Sequence, residues 1–255
     1  MIALLISLAL AASAQEPVPP QLEGVGIEEK LGGALDLDLT FTAENGHPVK
    51  LREFFHKDRP VILDLVYYSC PMLCNLVLNG QTAALREVPG VPGEDFDVVT
   101  ISIDPTEMFN LAQRKRAMYL ESYGRPAAGW HFLTDRDGNV KRLAEQVGFR
   151  YRYDETTQQY AHAAAIMVLT PEGKVSRYLY GIKFNARDVR LALAEASQSK
   201  FALTLDRVLL YCFHYDPKSR SYVPFAANLM RAGGAASVLV LAAVLGRFWR
   251  KERAR

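Results

Sequence analysis

The chain has 255 residues, of which 49% are hydrophobic, 23% charged and 10% aromatic, enough length and apolar content to bury a sizeable core in one or two domains. This composition excludes a disordered chain and a collagen-like repeat, and three cysteines are too few for a disulfide-stapled scaffold. A formal charge of +2 gives no whole-molecule attraction to nucleic acid.

Met1 to Leu10 are almost wholly apolar and lead into Ala12-Ser13-Ala14 and then polar Gln15-Glu16-Pro17, the pattern of a secretory signal at 1–14, although no basic residue precedes Lys30. Residues 15–34 read as a surface lead-in. Leu39 to Thr42 and Pro48 to Leu51 flank Asn45-Gly46 and predict an N-terminal hairpin. Val61 to Tyr68 is a nearly continuous apolar run, as expected of a central strand covered on both faces. It ends in Ser69-Cys70-Pro71, and Met72 to Arg86 has helical apolar spacing.

Asp97 to Ile103 predicts a second buried strand, closed by Asp104-Pro105 and followed by a helix over 106–123. Trp130 to Leu133 reads as a strand and 135–148 as a short helix. Ala163 to Leu169 and Val175 to Tyr180, joined by Thr170-Pro171-Glu172-Gly173-Lys174, predict a C-terminal hairpin, with a closing helix over 188–197. Strands alternating with helices imply an α/β fold with a mixed sheet between helices.

Residues 201–231 form a connecting segment. Ala232 to Gly246 carries no charge and is followed by Arg247-Phe248-Trp249, so 232–249 reads as a C-terminal transmembrane anchor. Fifteen helical residues span only about 22 Å of a roughly 30 Å hydrocarbon core, which Arg231 and Arg247 bridge by snorkelling. The basic end, including 250–255, is expected on the cytoplasmic side, leaving the domain in the periplasm, tethered to a bacterial inner membrane. Dividing the charge sharpens this reading. The tail from Arg247 carries +4 and residues 15–246 carry −2.

Export directs attention to Cys70 and Cys74, because an oxidising compartment closes an idle pair into a disulfide. Pro71 suits the first position of a helix, which makes Cys70 the N-cap and sets Cys74 one turn later on the same face. The helix N-terminus favours thiolate at Cys70, and two thiolates are soft ligands suited to Cu(I). Among the histidines, His47 and His56 read as surface residues and His131 as a strand residue satisfied locally. His162 stands apart, because Ala163-Ala164-Ala165 leave room around its ring at the mouth of a strand.

Tyr67-Tyr68-Ser69-Cys70-Pro71-Met72-Leu73-Cys74, then Ser102-Ile103-Asp104-Pro105, then His162 ahead of a strand and a Pro-Glu-Gly turn, resemble the Sco (SenC-like) family of thioredoxin-fold copper proteins. The resemblance implies a thioredoxin-like, copper-binding domain over 35–200, with Cys70, Cys74 and His162 as ligands of Cu(I) or Cu(II). It also implies a role in assembling the CuA centre of cytochrome c oxidase. Subunit II would then be the acceptor, and periplasmic copper carriers or thioredoxin-like reductases further partners. The alternative is an enzyme, a thiol–disulfide oxidoreductase using Cys70 and Cys74 on the oxidase subunit or other exported proteins.

Two places depart from the commonest family pattern. Met72 stands where many members have Asp, and Thr106-Glu107-Met108-Phe109 replaces a second acid–Thr pair. Asp104 is suited either to orient the site or to cap the next helix. Cys212 and His214 form another soft-ligand pair, outside the resemblance and better suited to a structural or interchain role.

Overall fold

The computed structural model describes residues 24–55, 57–70 and 73–197, the backbone of 213–216 and 221–224, and seven separate positions between 234 and 247. Five strands make the central sheet: β4 (Val61–Val66), β5 (Asp97–Ser102), β6 (Trp130–Leu133), β10 (Ala165–Leu169) and β11 (Val175–Tyr180), in the order β11-β10-β4-β5-β6. β4, β5 and β6 run parallel, while β10 is antiparallel to both β4 and β11. Every residue of β4, β5 and β10 is buried, which is why these segments read as largely apolar runs, interrupted by Asp64 in β4 and by Asp97, Thr100 and Ser102 in β5. This is the expected mixed α/β architecture, with the hairpin β2 (Thr40–Thr42) and β3 (Pro48–Lys50) before the sheet.

Helix α1 (Leu73–Glu87) packs against both α2 (Phe109–Tyr123) and α4 (Ala186–Ala196). Helix α2 also covers β6, and α4 covers β10 and β11. The approach of α1 to the chain before α4 is close, because a Cβ on Gly80 would stand 2.1 Å from the Ile182 carbonyl oxygen. Glycine is required there by contact rather than by backbone conformation. Trp130, Tyr119, Tyr123, Phe132 and Tyr68 fill the β6 side of the core with ring centroids about 6 Å apart.

Helix boundaries differ from the apolar pattern for local reasons. Asp104 Oδ1 accepts from both the backbone N–H and the hydroxyl of Thr106, which makes a separate turn and delays α2 to Phe109. Asp135 accepts from the N–H groups of Asp137 and Val140, and Gly138 is left-handed, so α3 covers only Asn139–Gln146. Asn185 caps α4 through the Arg187 N–H and starts it at Ala186.

Arg150-Tyr151-Arg152-Tyr153, which reads as one exposed strand, is divided between β7 (Phe149–Arg150) and β8 (Arg152–Asp154), and β9 (Gln159–Ala161) escapes the sequence pattern. β8 and β9 form a hairpin, and β7 pairs with β1 (Gly26–Ile27), which lies within the lead-in segment. A further two-stranded pairing joins β12 (Phe213–Asp216) to β13 (Ser221–Pro224).

The proposed signal at 1–14, His56, Pro71, Met72 and Cys212 lie outside the described residues. Within 232–249, Gly234, Ser237, Val238, Leu241, Ala242, Leu245 and Arg247 are helical and exposed. Among the described residues no helix is long and apolar enough to cross a membrane.

Candidate metal centre

Strand β4 ends at Val66, and the next four residues, buried except for Ser69, form a turn closed by the Cys70 N–H donating to the Tyr67 carbonyl at 3.3 Å. Neither Cys70 nor Cys74 forms a disulfide, and they are 5% and 1% exposed. Cys74 lies in the first turn of α1, and its N–H points at Cys70 Sγ, 3.3 Å away. Asn75 fixes the other side of the turn, donating through Nδ2 to the Cys70 carbonyl at 2.9 Å while accepting from Lys115 on α2.

His162 arrives from the opposite direction, on the short connection between β9 and β10. It is 6% exposed, and its Nε2 lies 2.9 Å from Cys74 Sγ. Its Nδ1 lies 2.9 Å from the Ala163 carbonyl oxygen, which can only accept, so the ring proton belongs on Nδ1. The Nε2 lone pair of the neutral ring is thereby aimed at the sulfur. Burial lowers the pKa of His162 and favours this neutral form. Tyr67 meets the ring edge-on at 6.2 Å and Phe149 packs against it at 5.9 Å.

Burial also pushes the Cys74 thiol well above the ordinary range, with Cys70 adding to the rise. The Tyr67 N–H approaches Cys74 Sγ at 3.5 Å and acts in the opposite sense. Tyr67 itself is shifted upward by burial and by its hydroxyl's contact with Cys70. The site therefore holds a neutral imidazole against a protonated Cys74.

The three expected residues thus converge from two segments, although among the described residues no three His, Cys, Asp or Glu side chains already stand at ligand spacing. A thiolate and an imidazole sharing one ion sit roughly 3.5 Å apart, taking ordinary bond lengths. The 2.9 Å contact of Cys74 with His162 would have to open by about half an ångström to admit one. With two sulfurs and one nitrogen, the donors fit a soft ion such as Cu(I).

The remaining sequence candidates lie apart from this cluster. His47 is exposed in its hairpin turn, and His131 Nδ1 lies 3.5 Å from Glu44, which Arg116 also pairs. Asp104 serves its own turn, and His214 lies in β12. One participant escaped sequence reasoning. Glu107 is 5% exposed, and its carboxylate accepts from the N–H groups of Tyr68 and Ser69 and from the hydroxyls of Ser69 and Ser102.

Among curated proteins none matches this sequence significantly. The fold is similar to a candidate electron transfer protein of Aquifex aeolicus VF5, with 24% identity, a TM-score of 0.59 and coverage of 67% of this chain and 96% of that one. A candidate electron transport protein of the same organism matches with 24% identity, a TM-score of 0.50 and coverage of 66% and 98%. Bradyrhizobium japonicum ScoI, solved with copper bound, aligns at 19% identity and a TM-score of 0.49 over 66% of this chain and 99% of its own. The SCO1/SenC family model matches residues 28–197, which is most of the chain and includes the whole Cys70, Cys74 and His162 cluster. The chain belongs to the SCO1/SenC family.

Proposed function

We propose that this domain is a copper carrier that takes up Cu(I) or Cu(II) through Cys70, Cys74 and His162. Its acceptor is the CuA site of cytochrome c oxidase subunit II, reached from a periplasmic position tethered to the inner membrane. The observation that carries the reading is the buried contact of Cys74 Sγ with the lone pair of His162 Nε2, one helical turn from the second cysteine of the pair, Cys70. Thiol exchange needs two sulfurs and no imidazole, so a histidine with its acceptor nitrogen turned inward supports metal binding.

Copper titration with X-ray absorption tests the proposal. The wild-type domain is expected to hold one copper with two sulfurs and one nitrogen, and His162→Ala to lose the nitrogen. An unchanged coordination sphere in His162→Ala refutes the three-ligand site. If His162→Ala leaves the cellular phenotype intact while Cys70→Ser abolishes it, the domain acts as a thiol–disulfide oxidoreductase instead.

A further inference from the structure

Glu107 is a buried carboxylate that the copper reading leaves without a task. Its two oxygens accept four hydrogen bonds, the acceptor-only pattern of an ionised carboxyl group. Oε1 takes the Ser69 N–H and hydroxyl, each at 2.6 Å. Oε2 takes the Tyr68 N–H at 2.8 Å and the Ser102 hydroxyl at 2.6 Å. Tyr68 and Ser69 are the two residues immediately before Cys70, and Ser102 ends β5, where it faces Val66 at the end of β4. One side chain therefore ties the turn that carries Cys70 to the end of the neighbouring strand.

The same group is a fixed negative charge beside the site. Among the described residues no basic side chain pairs with it. Its charge reaches Cys74 on one side and Tyr160 on the other. A buried anion favours whichever occupant carries more positive charge, because Coulomb interactions are weakly screened away from water.

We propose that Glu107 is a positioning residue with two effects: its carboxylate holds the Tyr68–Ser69 turn so that Cys70 faces Cys74 and His162, and its charge biases the site toward Cu(II) over Cu(I). The first effect is independent of any metal. The second rests on the copper reading proposed above.

Two substitutions separate them. Glu107→Gln keeps the reach and removes the charge, and its amide nitrogen cannot accept from a backbone N–H. Glu107→Asp keeps the charge and shortens the arm. In the metal-free protein, hydrogen exchange at the Tyr68 and Ser69 amides is expected to quicken at least tenfold in Glu107→Gln and also to quicken in Glu107→Asp. In the copper-loaded protein, the Cu(II)/Cu(I) potential of Glu107→Gln is expected to rise by a tenfold change in the affinity ratio, about 59 mV for one electron. The potential of Glu107→Asp is expected to stay near wild type.

Unchanged amide exchange in Glu107→Gln overturns the clamp. An unchanged potential, or an equal rise in Glu107→Asp, overturns the charge effect. If Glu107→Gln fails to fold, Ser102→Ala, which removes one of the four donors from the strand side, is expected to speed Tyr68 exchange about threefold, and no acceleration refutes the clamp. Failure of the wild-type domain to bind copper refutes the carrier reading and leaves the exchange result standing.

Discussion

Asp64 sits in the middle of β4, fully buried, where a carboxylate is least expected. Thr100, opposite it on β5, donates its hydroxyl to Oδ2 at 2.8 Å and in turn accepts from the Trp130 indole N–H at 3.2 Å. Gln81 on α1 lies close enough to favour the ionised form, yet Asp64 Oδ1 and both Gln81 amide atoms lack a hydrogen-bond partner in the protein. Burial dominates and lifts the Asp64 carboxyl from 3.8 to about 7. The folded state then holds a proton that the unfolded chain releases, so stability falls as pH rises from about 4 to about 7 and levels off above that. At about 1.36 kcal/mol per unit, a rise of roughly three units sets a ceiling of about 4 kcal/mol on the loss.

Asp64→Asn removes the titration at constant volume, and its amide is able to donate toward Gln81 Oε1. Urea unfolding of both proteins between pH 4 and 9 checks the argument. The variant's advantage is expected to be near zero at pH 4, to grow through pH 5 to 7, and to reach a plateau above pH 8. A difference that does not change with pH refutes it, because only a proton held by the folded state produces that slope.

Two further predictions come from the packing. Arg59 clasps Asp97 through two hydrogen bonds at 2.8 and 3.0 Å, and Asp97 is fully buried. Arg59→Ala is expected to cost about 3–5 kcal/mol by leaving that carboxylate uncompensated, measured by denaturant unfolding at neutral pH, and a cost under about 1 kcal/mol contradicts it. Gly80→Ala, which drives a methyl group into the Ile182 carbonyl, is expected to cost about 3 kcal/mol, read as a lowered melting temperature. A neutral outcome there means that the segment before α4 yields easily to α1.

The sequence revealed what side chains announce and hid what the backbone arranges. Strands β4, β5 and β10 were legible because burial on both faces demands apolar runs, and the cysteine pair because a proline and a helical spacing frame it. His162 was legible through its alanine neighbours, of which Ala165 is buried and Ala163 and Ala164 partly so. Arg150 to Tyr153 was legible as exposed strand through its Arg-Tyr alternation, whereas β9 was not, since three residues, Gln-Tyr-Ala, give no period to read. Glu107 was invisible for a different reason. Two of its four partners are N–H groups, and every non-proline residue has one.

The helix start is expected to favour thiolate at Cys70, and one turn further on Cys74 meets a competing force. Helix dipoles act within the first turn and are worth at most about 2 kcal/mol, whereas burial of an unpaired anion costs more. At Cys74 burial prevails, and the negative charge of Glu107 adds to it rather than opposing it. Cys74 is therefore a poor nucleophile in the resting domain, because attack on a disulfide requires the thiolate. A bound cation would reverse the balance, since it would supply countercharge and displace the thiol proton. His162 carries no proton on Nε2 to displace, although that lone pair already faces Cys74 Sγ at 2.9 Å. Suppression of the Cys74 thiolate, set beside a neutral His162, would suit the proposed carriage of a metal ion better than attack on a disulfide by that sulfur.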